Sequence, residues 1–452
     1  MRRRLAVGIA AVGLTALAAV SGSGTAGGVE HRQPNILIVV TDDQPLGTMQ
    51  VMPKTRRWLK GGGVRYKNAY VTTPQCCPSR SSIFTGRYAH NHRVKDNYSS
   101  ARLDHTTTLQ AQLEPTYQTA VYGKFLNGWN LDDAPPFFDD YAIQSKSTSY
   151  YDVEFNVNGV RQIVPGYNTR FLADQAVGFL DRAETSDAQP WYLVVAPTAP
   201  HPPFTVEDQY ADAPVPPWDG DPGVFEEDKS DKPGYVSTAS LSLAKAQERR
   251  AKQLRTLISV DDMMGRLHDT LVELGEDEDT LVVFISDNGF MWGQHGLRGK
   301  AVPYSESIRV PMYARWPGRL PEDRTRGRMV ANIDIAPTVL EAAGVTPTIA
   351  PDGRSLIGTD QRTRMLTELH RARRSLQSPP WASLRTRTAQ YVEYYDRDGT
   401  VKFREYYDLS NDRYQLVNLL EDGDPVNDPT AEVALLAEQL AADRACAGAS
   451  CP

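Results

Sequence analysis

Four apolar runs along the chain each end in polar residues that can do chemistry. Asn35-Ile36-Leu37-Ile38-Val39-Val40 is followed by Thr41, Asp42 and Asp43. Thr119-Ala120-Val121-Tyr122 leads to Gly123 and Lys124. Trp191-Tyr192-Leu193-Val194-Val195 leads through Pro197 and Pro200 to His201. Leu281-Val282-Val283-Phe284-Ile285 leads to Ser286, Asp287 and Asn288. None of these runs alternates apolar with polar positions, so each predicts a strand covered on both faces, as in a parallel sheet. A different period holds from about Leu241 to Leu274. There Leu254, Leu257, Met264, Leu267, Leu271 and Leu274 recur at helical spacing, and Gly275 is a fitting stop. Strands alternating with helices predict an α/β sheet, and open α/β sheets bind ligands beyond the carboxyl ends of their strands. All four polar clusters sit at such ends, which points to one shared site.

After about Gly358 the pattern changes. Trp381 to Thr386, Gln390 to Tyr395 and Lys402 to Leu409 predict short antiparallel strands, with a hairpin turn at Asp396-Arg397-Asp398-Gly399. A last helix is expected from about Thr430 to Ala442. The expected organisation is an export signal over 1–26, a catalytic α/β domain over 27–358 and a small α+β subdomain over 359–452.

Length alone, 452 residues, fits this division or three small domains. With 40% hydrophobic and 23% charged residues, the composition is that of an ordinary soluble enzyme. Arg2, Arg3 and Arg4 precede an apolar run from Leu5 to Val20 and small residues ending Gly24-Thr25-Ala26, the parts of a secretory signal. The run is shorter than the ~20 residues a membrane span needs, no Cys follows it directly, and no later stretch is long and apolar enough to span. A secreted or periplasmic location without a stable membrane anchor is expected. Removing three arginines and no acids takes the net charge from -7 to -10, which disfavours non-specific nucleic-acid binding. A polyanionic substrate would need a local basic pocket. Cys446 and Cys451 suit a small-loop disulfide. The adjacent Cys76 and Cys77 rarely bond each other without strain and need another explanation.

That explanation lies in Cys76-Cys77-Pro78-Ser79-Arg80, continuing Ser81-Ser82-Ile83-Phe84-Thr85-Gly86-Arg87. The stretch resembles the type I sulfatases of the alkaline-phosphatase-like superfamily, whose motif is Cys-x-Pro-Ser-Arg followed by Thr-Gly-Arg. The resemblance covers nearly all of the chain after the signal. It implies a large mixed, mostly parallel sheet sandwiched by helices. It also implies that a formylglycine-generating enzyme oxidises Cys76 to formylglycine. An aldehyde hydrate carries two hydroxyls on one carbon: one attacks sulfur, and the other then expels sulfate and restores the aldehyde, which a serine could not do. Pro78 suits a first helical turn, whose N–H groups would face an anion, and Arg80 would add a fixed charge.

Asp42, Asp43, Asp287 and Asn288 bring hard oxygen donors to two strand ends, which suits Ca²⁺ or Mg²⁺. The resemblance makes them metal ligands together with the nucleophile at Cys76, Ca²⁺ being usual. It also assigns Lys124, His201 and Lys300 to sulfate contact. His201 is the candidate acid for the leaving alkoxide, because histidine titrates near neutrality. One departure is that Leu126 and Asn127 stand where many sulfatases have a histidine after the lysine. The run Gly-Lys-aromatic-Leu-Asn, with Cys76-Cys77 and Tyr88-Ala89-His90-Asn91-His92, resembles the N-acetylglucosamine-6-sulfatases. Asn127 and His92 are expected on the substrate side. His90 and Asn91 are either substrate-side or packing groups, and His295 is either a site residue or a loop-fixing one. Trp129, Tyr150 and Tyr151 are sugar platforms or core. Asp334 is read as structural.

The expected activity is hydrolysis of a sulfate ester on a sulfated sugar or other alcohol. A phosphonate or phosphate monoester hydrolase on the same scaffold is the nearest alternative. A glycan-binding protein without turnover is the alternative from another class.

Overall fold

The four apolar runs are neighbours in one sheet. The computed structural model describes residues 33–146, 148–186, 189–370 and 378–452, so the expected signal over 1–26 lies outside the described residues. In chain order the strands are β1 (Asn35–Thr41), β2 (Gly63–Tyr70), β3 (Gln118–Gly123), β4 (Asp140–Gln144), β5 (Tyr151–Val157), β6 (Val160–Tyr167), β7 (Trp191–Ala196) and β8 (Thr280–Ser286). A short ribbon, β9 (Met291–Trp292) with β10 (Arg298–Gly299), precedes β11 (Met312–Arg315) and β12 (Arg324–Ala331). The large sheet runs β12-β2-β11-β8-β1-β7-β3-β4-β5-β6. Its centre, β8-β1-β7-β3-β4, is parallel throughout, while β11, β5 and β6 run antiparallel to their neighbours. The expected mixed, mostly parallel sheet is the observed one.

Both faces of β1 are covered, which explains its unbroken apolar run. Ile36, Ile38 and Val40 join a core with Ile83, Leu109 and Val339, while Leu37 and Val39 join a second core with Leu172, Leu254 and Leu267. Each such side chain contributes roughly 1.5–3 kcal/mol by leaving water. The long helix is Leu243–Leu274, and Gly275 closes it in the left-handed conformation (φ 80°), its N–H bonded to the carbonyls of Leu271 and Val272.

The C-terminal strands form the expected antiparallel sheet, with one strand more than anticipated. β13 (Met365–Leu369), β14 (Trp381–Arg385), β15 (Ala389–Tyr395) and β16 (Val401–Asp408) lie in sequence order. The helix Thr430–Asp443 sets Leu436 and Leu440 on the core that holds Trp381 and Tyr391. Cys446 and Cys451 are bonded, and Cys76 and Cys77 are free and buried. Gln33–Pro452 form one compact unit.

Asp334 ties this part to the large sheet. It ends the turn after β12, where its carboxylate accepts from the N–H groups of Ala331 (2.7 Å) and Arg354 (2.8 Å). It also takes a two-pronged contact from the Arg362 guanidinium, both arms 2.8 Å, with both side chains buried. Arg362→Ala leaves that carboxylate charged and buried without its cation. Stability is expected to fall by about 3–5 kcal/mol, read as a lower urea midpoint. A variant as stable as the wild type would refute this role.

Candidate active site

Register brings the acidic pairs together. β1 and β8 are parallel neighbours with Thr41 opposite Ser286, so the chain leaves both strands side by side. The Asp43 N–H donates to Asp287 Oδ1 (3.2 Å), and Asn288 Nδ2 donates to Asp43 Oδ1 (2.6 Å). β7 pairs with β1 on the other side, and β3 pairs with β7 in turn, with Gly123 opposite Ala196. Gly123 has φ 107°, and a Cβ there would lie 2.2 Å from the Ala196 oxygen, so the turn that delivers Lys124 requires glycine. On the loop after β7, the Tyr150 hydroxyl donates to the His201 carbonyl (2.6 Å). His201 Nδ1 lies 2.6 Å from the Pro202 oxygen. A carbonyl only accepts, so Nδ1 carries a proton, and Nε2 lies 3.8 Å from Asp43 Oδ2.

The stretch that begins at Cys76 forms the helix Cys76–Thr85, buried along its whole length. Several of its polar side chains are satisfied within the helix or by Asn332. The Ser81 and Thr85 hydroxyls donate to the carbonyls of Cys77 (2.9 Å) and Ser81 (2.7 Å), and Asn332 Nδ2 donates to Ser79 Oγ (2.9 Å). The Cys77 N–H at the open end donates to Asn97 Oδ1 (3.0 Å). Cys76 Sγ lies 3.4 Å from Asp42 Oδ1 and 2.7 Å from Lys300 Nζ. One turn on, Arg80 donates from Nε to Asp287 Oδ2 (2.8 Å) and from Nη1 to the Lys124 carbonyl (2.7 Å). Its Nη2 is buried without a partner.

Opposite charges alternate through the site. Lys124 pairs with Asp42 and Lys300 with Asp43. Burial alone would raise the Asp42 carboxyl, but Lys124, His201, Arg80 and Lys300 hold it well below the usual carboxylate range. Asp287 moves the other way, because burial and the Asp42 charge outweigh Arg80. For Lys300 burial favours the neutral amine, yet Asp43, Cys76 and Asp42 keep it firmly protonated. Burial, reinforced by Asp42, pushes the Cys76 thiol up to about 12.

Residues 34–345 match the family described as Sulfatase, and residues 293–428 match N-sulphoglucosamine sulphohydrolase, C-terminal. The chain belongs to the sulfatase family. It is similar to the N-acetylglucosamine-6-sulfatase of Homo sapiens, 29% identical over 87% of this chain and 82% of the relative. It is also similar to the extracellular sulfatase SULF-1 homologue of Drosophila melanogaster, 33% identical over 72% of this chain and 31% of that one. The chain spans about half the length or less of the extracellular sulfatases it matches. A solved structure described as in complex with its substrate D-glucosamine-2-N,6-O-disulfate shares the fold at TM-score 0.76 and 23% identity, covering 91% of this chain and 97% of that chain. Phosphonate monoester hydrolases share the fold as well.

The candidate site gathers Cys76, Arg80, Lys124, His201, Lys300, Asp42, Asp43, Asp287 and Asn288. Donor atoms of Asp42, Asp43, Cys76 and His201 lie within 4.8 Å of one another. Beside them, Asn288 Oδ1 is buried and unpartnered. Converging carboxylates and a free amide oxygen fit a hard divalent cation. Asn127 lines the adjoining pocket with Trp129, Lys146 and Thr198, and its Oδ1 is also buried and unpartnered.

The structure does not bring His92 or His295 to this pocket. His92 is buried between Ser82 Oγ (3.1 Å) and the Val94 N–H (3.1 Å). His295 is buried with Nδ1 2.6 Å from Glu226 Oε2 and its ring on Tyr304, so it fixes its loop. His90 and Asn91 both reach the Cys446 carbonyl and are packing groups. Tyr150 is buried and supports His201, and the Tyr151 hydroxyl accepts from the Asp208 N–H, leaving only Trp129 at the pocket. Sequence reasoning missed Asn97 and Gln253. The latter donates from the long helix to the carbonyls of Asp43 (3.3 Å) and Pro200 (3.1 Å). A polar residue on the buried stripe of that helix was the available signal.

Burial drives the His92 ring down to about 3 from an ordinary 6.5. Between those values the unfolded chain takes up a proton that the native state refuses, so stability falls as pH drops through that window. His92→Gln is expected to flatten the decline by up to about 1.4 kcal/mol per pH unit. Urea titrations at several pH values check this, and an unchanged slope would refute it.

Proposed function

We propose that this sulfatase is secreted and hydrolyses sulfate monoesters of sugars to alcohol and sulfate, at a nucleophile made from Cys76. The observation that carries the reading is the placement of Cys76. It opens a wholly buried helix, touches Asp42 and Lys300, and has Arg80 and Lys124 beside it. Oxidised by a formylglycine-generating enzyme and hydrated, residue 76 supplies one hydroxyl to attack sulfur and a second to release sulfate. Asp42, Asp43, Asp287 and Asn288, with residue 76, would hold Ca²⁺ or Mg²⁺, which supplies charge to polarise a sulfate oxygen.

The chain's own residues do the rest. Lys124 and Lys300 offer ammonium donors to the sulfate oxygens and accompany the N-terminal end of the helix, where N–H groups favour an anion. Arg80 holds Asp287 and the Lys124 backbone in place. From Nε2, His201 donates the proton that the leaving alkoxide needs. Asn127 Oδ1 and Trp129 present an acceptor and an aromatic face to the sugar. A 6-O-sulfated N-acetylglucosamine, free or at the end of a glycosaminoglycan, is the leading substrate. The names of the human relative and of the substrate complex support that choice.

A phosphonate or phosphate ester hydrolase is the second reading, favoured by the shared fold. Matched aryl sulfate and aryl phosphate separate the two, because the sulfate ester is a monoanion and the phosphate monoester largely a dianion near neutrality. Co-expression with a formylglycine-generating enzyme is expected to convert Cys76, seen by peptide mass spectrometry, and to favour the aryl sulfate. An unmodified, inactive protein would count against the reading. His201→Ala is expected to lower kcat by about 10²–10⁴-fold on alkyl sulfates with poor leaving groups, and far less on an activated aryl sulfate. Equal losses on both would remove His201 from the acid role.

A further inference from the structure

A second cavity, of about 470 Å³, lies against the segments that follow the two acidic pairs, from Pro45 on one side and from Phe290 on the other. It shares no lining residue with the pocket at Lys124 and His201. Arg250, on the long helix, is 6% exposed and lines it. The guanidinium carbon lies 5.4 Å from the Trp292 ring centre and 5.8 Å from that of Trp218. One arm donates to the Pro216 carbonyl (2.7 Å), while Nε is buried without a partner. Among the described residues no carboxylate pairs with Arg250. Three more buried atoms on the lining residues lack partners: Arg309 Nε, Glu306 Oε2 and Asp221 Oδ1.

Buried polar atoms are ordinarily hydrogen-bonded, and buried charges ordinarily paired. Four exceptions around one cavity point to a ligand, and its chemistry is constrained. A bare inorganic anion would satisfy Arg250 and Arg309 but not the two carboxylates. A neutral sugar would satisfy the carboxylates through its hydroxyls and leave Arg250 unpaired. A ring that carries both hydroxyls and an oxyanion satisfies both sets, and the indole of Trp218 offers a flat apolar face for its C–H groups. With Arg413, the cavity has three arginines against two acids, a balance that suits a monoanion.

We propose that this cavity binds an acidic sugar residue, its carboxylate or sulfate on Arg250 and its hydroxyls on Glu306 and Asp221. That the residue belongs to the same glycan as the scissile ester rests on the sulfated-sugar reading above; the binding chemistry does not. The cavity is thus a second foothold for a polymer, separate from the site of cleavage.

The test titrates the full chain carrying Cys76→Ala, which blocks turnover, with D-glucuronate, D-glucose 6-sulfate and D-glucose. Binding is followed by calorimetry and tryptophan fluorescence. Saturable binding of at least one acid, tenfold or more tighter than glucose, is expected. Preference for glucuronate assigns a carboxylate ligand, and preference for the sulfate ester assigns a sulfated one. Added Arg250→Gln is expected to weaken that binding at least tenfold. Trp218→Ala, which alters only a half-buried wall, is a second variant should the first disturb folding. With Cys76 intact, both variants are expected to hydrolyse a small aryl sulfate at the wild-type rate. No saturable binding, or affinity untouched by both substitutions, would overturn the proposal. Loss of aryl sulfate hydrolysis in the wild type would instead sink the hydrolase reading and leave the binding result standing.

Discussion

Asp42, Asp43 and Asp287 are buried side by side, and three carboxylates in so dry a space repel one another strongly unless cations stand among them. The sheet makes the crowding unavoidable. Parallel pairing of β1 with β8 releases both acidic pairs at the same height, and no side-chain rotation separates them. Much of the surrounding structure answers this constraint. Arg80 arrives from the helix Cys76–Thr85, Lys124 from the turn after β3, and Lys300 from the end of the short ribbon. The same cations that make the acids tolerable surround Cys76. Cys76 is therefore held among positive charges already fixed by structural need.

The helix that begins at Cys76 shows how a polar segment can be wholly buried. Its serines and threonine do not need water, because hydroxyls bond back to carbonyls one turn earlier or to Asn332. Such a helix has no apolar stripe and gains little from amphipathic packing. What it gains is rigidity: both ends are tied, at Asn97 and at Gly86. A side chain on so constrained an element keeps its distance from the acids and lysines around it, which is the form of preorganisation that catalysis favours.

The long helix Leu243–Leu274 links the two cavities. Gln253 donates to the backbone of Asp43 and of the loop before His201, and it accepts from the indole of Trp292. One turn earlier, Arg250 lies against both that indole and Trp218. A single buried face thus supports the strand end with the acids, the histidine loop and the aromatic wall of the second cavity.

Much of this was legible in the chain itself. Apolar runs without alternation meant strands covered on both faces, and a run closed by Asp-Asp, Gly-Lys or Asp-Asn meant a polar residue delivered to a strand end. Such signals are local, because they depend on which side chains must leave water. The β5–β6 hairpin was not foreseen, although Asn158-Gly159 forms its turn with both φ angles positive, 47° and 90°. Other features had no local signature. β2 and β12 carry charged residues, Arg65 and Lys67 in one and Arg324 and Arg326 in the other, and they exist because the sheet edge supplies backbone partners. His92 and His295 stand in site-like motifs, yet Ser82 and Glu226 claim them. Arg250 reads as one more helix arginine until folding buries it against two indoles. The sequence by itself determined which elements form and which chemical groups end them, because those follow from neighbours along the chain. Only the tertiary structure decided which groups meet, because charge pairing, burial and unfilled hydrogen bonds depend on residues hundreds of positions apart.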